Sequence, residues 1–150
     1  MNVTSSTNTI RILKIETCSA LLEGSTLTYQ IACNSDSEIL LRVVSNTEGG
    51  IFNKEWIKLD SILEAFDKHP SDKPIESSLL VPLFQGTSAN SPGFLLAVLK
   101  KEGLVSRLQG KPHYYERMNP EKFMADINKL IQLGVNLDVY EINQSIIQKS

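Results

Sequence analysis

The hydrophobic pattern of this chain changes period once, at Leu59. Before that point apolar residues alternate with polar ones, as on a half-buried strand. After it they recur at helical spacing. The clearest alternation is Leu27 to Cys33, with Leu27, Tyr29, Ile31 and Cys33 on one face and Thr28, Gln30 and Ala32 on the other. Ile10, Ile12 and Ile15 mark an earlier strand, and Ile39 to Val44 a later one. Asn46 to Gly50 supplies the positive-φ positions of a hairpin loop. Ile51 to Ile57 then returns as a further strand, whose Phe52 and Trp56 share a face read as core against the next helix. The expectation is an antiparallel meander of three or four strands over residues 10–58. A sheet that small needs something to cover its apolar face.

From Leu59 the spacing predicts helices. Leu59, Ile62, Leu63 and Phe66 fall on one face of a first helix, Leu59 to Lys68, with capping-box spacing at Ser61 and Glu64. His69-Pro70 ends it. Ile75 to Ser77 fits a short strand. A second helix is expected over Leu79 to Gln85, beginning at Ser78 so that Pro82 stays in its first turn. Ser91-Pro92 opens a third, and Gly103 is its left-handed end. Leu104 to Leu108 and His113 to Met118 read as strands about a Gly110-Lys111 tip. Asn119-Pro120 opens another helix that Gly134 ends. Residues 138–149 favour a terminal helix over a strand, with Ile142, Ile146 and Ile147 in need of a partner. The class expected is α+β. A small N-terminal antiparallel β-sheet packs on the 59–118 unit, with C-terminal helices over 119–150, all one compact unit from residue 10. Residues 1–9 read as a flexible tail.

With 150 residues, 41% hydrophobic and 21% charged, the chain can build a core without staples. A net charge of −2 excludes a globally basic binder and a strongly acidic solvating chain. Cys18 and Cys33 make no disulfide framework and read as buried thiols in a reducing, cytoplasmic setting. The polar N-terminus has no signal-peptide core, and no apolar run is long enough to span a bilayer.

The order helix, short strand, helix, loop, helix, strand, turn, strand from Leu59 to Met118 resembles the winged-helix family. In that resemblance Pro92 to Glu102 is the third or recognition helix, Glu102-Gly103-Leu104-Val105 the step into the wing, and Ser106 to Arg117 the wing. The resemblance implies binding of duplex DNA, with the third helix in the major groove and the wing on the backbone. The residues themselves qualify this. Stepped at 100° per residue, Phe94, Leu95, Val98 and Leu99 face the core, and Gly93, Leu96 and Lys100 face away. That outward face has no Arg, Asn or Gln to read base edges. Asn90 could reach a base only from the preceding loop. Lys100 and Lys101 can meet phosphates but specify no sequence.

Two functions therefore stand side by side. In the first, a non-enzymatic nucleic-acid-binding or regulatory module contacts phosphates through Lys100, Lys101, Arg107, Lys111 and Arg117, with Asn90 and His113 as secondary contacts. Five basic residues against Glu102 and Glu116 make residues 100–117 locally positive. In the second, a protein-interaction or adaptor module presents Leu96 and Gly93 to a partner, with Ile142 and Ile146 as a homodimer contact. One continuous positive face across Lys100, Arg107, Lys111 and Arg117 would favour the first, and a broken one the second. No cofactor or metal is implied, because two histidines and two cysteines far apart fit no zinc spacing. No catalytic residue set is apparent. His69 reads as a solvated cation at a helix end, and Asp60, Glu64 and Asp67 as one solvated face.

Overall fold

The computed structural model describes residues 9–21, 24–86 and 88–137. The tail expected at 1–9 lies outside the described residues apart from Thr9, and so does the terminal segment 138–149 with Ile142 and Ile146. Four strands, β1 (Arg11–Ser19), β2 (Thr26–Cys33), β3 (Ile39–Asn46) and β4 (Ile57–Lys58), pair antiparallel in chain order. Leu27, Tyr29, Ile31 and Cys33 of β2 are all buried in the core, as the alternation requires. Ile31 lies opposite Leu41 and Tyr29 opposite Val43 on β3. A slip of one residue would turn this whole set outward, so burial of one face fixes the register.

The strand expected over 51–57 is reduced to β4. Gly49 (φ 74°) and Gly50 (φ 88°) turn the chain, and the segment after them is held by side chains from the 88–91 region. Ser91 Oγ accepts from the Asn53 N–H at 2.7 Å, and Asn90 Nδ2 donates to the Ile51 carbonyl at 2.9 Å. Backbone groups satisfied in this way do not join the ladder. The two rings of this segment separate accordingly. Phe52 packs edge-on against Phe94, with centroids 5.6 Å apart, while Trp56 lies under the Arg42 guanidinium at 4.2 Å.

Helix α1 (Leu59–Lys68) buries Leu59, Ile62 and Phe66 and stops at His69. It starts at Leu59 directly out of β4, with Lys58 at its N-cap, so the Ser61/Glu64 box is not used as a cap. The second helix is a 3-10 helix, Ser77–Leu83, with Pro82 inside it. In an α-helix Pro82 would press on the Ser78 carbonyl, and the 3-10 form has no pairing four residues back.

Helix α2 (Ser91–Lys101) is the centre of the molecule. It packs on β1 and β3 on one side and on the 3-10 helix and β5 (Val105–Arg107) on others. Ser91, Pro92 and the run Leu95 to Leu99 are buried. The outward placement of Leu96 is therefore corrected: it is 1% exposed, and Gly93 is half-buried. Phe94 to Leu99 are six apolar residues without a polar interruption, and a helix that is apolar all round is buried all round.

Strands β5 and β6 (Tyr115–Arg117) form a short hairpin. Ile75 bridges to it through reciprocal backbone bonds with Tyr115 of 2.8 and 2.9 Å. Helix α3 (Glu121–Gln132) buries Phe123 and Ile127 and is closed by Gly134 at φ 72°. Arg11 Nη2 donates to the Ile131 carbonyl at 3.1 Å, tying the end of α3 to β1. A cation satisfying the last carbonyls of a helix also meets the negative end of its dipole.

The placement of Leu96 can be measured. Leu96→Ala is expected to lower the unfolding free energy by about 2–5 kcal/mol, the cost of emptying a packed leucine site. A surface leucine would lose less than about 0.5 kcal/mol. Denaturant unfolding followed by circular dichroism separates the two.

Candidate functional site

The β5–β6 hairpin orients the cations that sequence reasoning placed on a wing. Val105 lies opposite Arg117 and Arg107 opposite Tyr115, so these four side chains share one face of the hairpin. Val105 and Tyr115 are buried, so this is the face packed on the core. Arg107 sits over the Tyr115 ring at 5.8 Å and its Nη2 donates to the Tyr115 hydroxyl at 3.3 Å. Arg117 sits over the Phe66 ring at 5.8 Å and is ion-paired with Asp67 of α1. The other face of the hairpin carries Ser106 and Glu116. Both arginines are thus directed onto aromatic rings of the protein, and the face turned to solvent carries a carboxylate.

The remaining cations are dispersed. Lys111 and His113 are exposed at the hairpin tip. His113 and Arg107 line a concavity of about 520 Å³ floored by Leu96, with Glu76 on its wall. Arg117 lines a second concavity, of about 510 Å³, with Asp67, Asp72 and Glu116. Lys101 lines a third, between β1 and α3, and Lys100 is exposed beside it in sequence. The positive face is broken into three hollows, two of which hold acidic side chains opposite the arginine. Asn90 is spent on the Ile51 carbonyl, and its own carbonyl accepts from Phe94 N–H.

The arrangement that sequence reasoning missed is at the end of α2. Glu102, with its side chain 5% exposed, accepts from Lys14 Nζ at 2.9 Å and from the Tyr29 hydroxyl. A carboxylate at a helix C-terminus faces the negative end of the dipole and needs such compensation. Burial, and next the hydrogen bond to Glu102, hold the Tyr29 hydroxyl well above the ordinary phenol range. Burial likewise pushes the Cys18 thiol up, with Lys101 opposing it. Cys18 is therefore no activated nucleophile. Lys14 and Glu102 are 88 residues apart in the chain, and no local spacing signals their meeting.

Those two residues open onto a groove of about 680 Å³ between β1 and α3. Its floor is Leu13, Phe123 and Ile127 and its rim holds Lys101, Lys122 and Lys129. Leu133 stands at its edge, 68% exposed. Among the described residues no cluster of three or more His, Cys, Asp or Glu side chains could hold a metal ion, and no helix is long and apolar enough to cross a membrane. His69 Nε2 lies 2.9 Å from the Pro74 carbonyl, and Cys18 and Cys33 sit near opposite ends of the β1–β2 pair. No family model, no curated protein and no solved structure matches the chain.

The Tyr29–Glu102 contact has a pH signature. The folded phenol holds its proton above pH 10, where an unfolded tyrosine gives its proton up. The unfolded state then binds fewer protons than the folded one, so stability falls as pH rises past about 10. Tyr29→Phe is expected to flatten that fall, and absorbance titration at alkaline pH should lose no tyrosinate signal relative to the parent chain. A parent chain that ionises all its tyrosines together near pH 10 while still folded contradicts the assignment.

Proposed function

We propose that this chain is a non-enzymatic protein-interaction module, built on a winged-helix-like arrangement that does not use that arrangement to read nucleic acid. The observation that carries this is the burial of α2. Base reading needs a helix with a free face carrying paired donors or acceptors. Here the corresponding helix is packed against the sheet, the 3-10 helix and the hairpin, Leu96 is buried, and its exposed side chains are Lys100 and Lys101, which offer no paired donors and acceptors. Arg107, engaged with Tyr115, Arg117, ion-paired with Asp67, and the exposed Glu116 weigh in the same direction. The surface best formed to receive a polypeptide is the groove between β1 and α3, which has an apolar floor, a lysine rim and the exposed Leu133. The interface expected at Leu96 and Gly93 is proposed on α3 instead, while Ile142 and Ile146 lie outside the described residues.

Duplex DNA affinity measured by fluorescence anisotropy across a salt series tests this. Contact of Lys100, Lys101 and Lys111 with phosphates would give a log–log salt slope of about −3. The module reading expects no binding that depends on those lysines, so the triple alanine variant should match the parent chain at every salt concentration. Binding at low salt that the triple variant abolishes overturns the reading in favour of nucleic acid.

A further inference from the structure

We propose that the occupant of the β1–α3 groove is a second copy of this chain, docked through α3 so that the two α3 helices run antiparallel about a two-fold axis. This rests on the protein-interaction reading and names its partner.

The argument begins with the outward stripe of α3. Lys122, Asp126, Lys129 and Leu133 follow one another at spacings of four, three and four residues, which places them on one side of the helix and at the groove. That alternation is the spacing of a helix-pairing seam. Core contact by Phe123 and Ile127 faces elsewhere. Among the described residues nothing covers the stripe: all four side chains are exposed, and Leu133 at its end is among the most exposed large apolar ones.

A two-fold interface must be complementary to itself, because each residue meets the image of another on the same patch. This stripe has that property. The pair Asp126 and Lys129 and the pair Lys122 and Leu133 share one midpoint, between Ile127 and Asn128. An axis through that point sets Asp126 against the partner's Lys129, and Lys129 against the partner's Asp126. It also lays Leu133 beside the partner's Lys122, whose methylene stem can cover it, and next to the groove floor at the partner's Phe123. Opposite charges meet twice and the exposed leucine is covered twice. A parallel pairing would set Asp126 on Asp126 and Lys129 on Lys129. Among the described residues of one chain Asp126 pairs with Lys122, at 3.0 Å, and both side chains are more than half exposed. Such a pair contributes little and can be exchanged.

Sedimentation equilibrium of the full chain over a concentration series is the test, with circular dichroism to confirm that each variant is folded. The parent chain is expected to approach a mass of two chains. Asp126→Lys and Lys129→Asp, each alone, put like charges together at two places and should weaken dimerisation at least about tenfold. The double variant Asp126→Lys/Lys129→Asp restores opposite charges and should return to within about threefold of the parent, which a merely structural role for either residue would not produce. Leu133→Asp should leave a folded monomer. A parent chain that is monomeric throughout overturns the dimer, as does a dimer indifferent to Leu133→Asp or a double variant no better than the singles. Failure here with lysine-independent DNA behaviour would leave the protein-interaction reading standing with another partner. Lysine-dependent DNA binding would remove that reading itself.

Discussion

The structure depends on the burial of α2 from more than one side. A four-stranded sheet with one apolar face cannot stand alone in water. In this protein the cover is a helix whose inner residues are nearly all apolar, so it in turn must be covered. The 3-10 helix and the hairpin meet that second demand, and α1 and α3 close the flanks of the same continuous core. Each element is present because the previous one leaves apolar surface to be removed from water.

Electrostatics follows from the same geometry. The chain leaves α2 through Glu102, whose carboxylate is buried at the unfavourable end of the dipole. Lys14 and Tyr29, from the sheet beneath, supply the opposite charge and the hydrogen bond. The hairpin that begins three residues later is packed by its Val105/Tyr115 face, which brings Arg107 over the Tyr115 ring and Arg117 to Phe66 and Asp67. Cations that look like a strip in the sequence are thereby separated, with Lys101, Arg107 and Arg117 in three different hollows. What remains outward on α3 is a short stripe whose charges complement their own two-fold image.

Much of the architecture was legible. Alternation in β2, the Asn46–Gly50 loop, the His69-Pro70 stop, Gly103 and Gly134 each state a local rule that the structure obeys, and the limits of α1 were read correctly. The errors also have local causes. Six consecutive apolar residues in α2 carry no signal of which side is free, and the assumption of a free side put Leu96 outside. Local rules allow Pro82 within a first α-helical turn, whereas the structure forms a tighter helix around it. The 51–57 strand was lost because side chains of Ser91 and Asn90, some 40 residues on, took its backbone partners. The candidate site fared worst. Lys101, expected at a phosphate, lies on the groove, and nothing in the sequence marks Leu133, Lys129 and Asp126, because exposed charges on an amphipathic helix look the same with or without a partner.

The sequence by itself determined the α+β class, the order and approximate limits of most elements, and the inner face of the sheet. These depend on hydrophobic period and on glycine and proline, which act within a few residues. Tertiary structure alone decided that Leu96 of α2 is buried, which rings and carboxylate Arg107 and Arg117 meet, and that Lys14 meets Glu102. Those outcomes depend on contacts between residues tens of positions apart, where burial of one side chain is settled by the shape of another element. A positive stretch of sequence is a property of the chain, but a positive surface exists only once packing has chosen which side of each strand and helix the water sees.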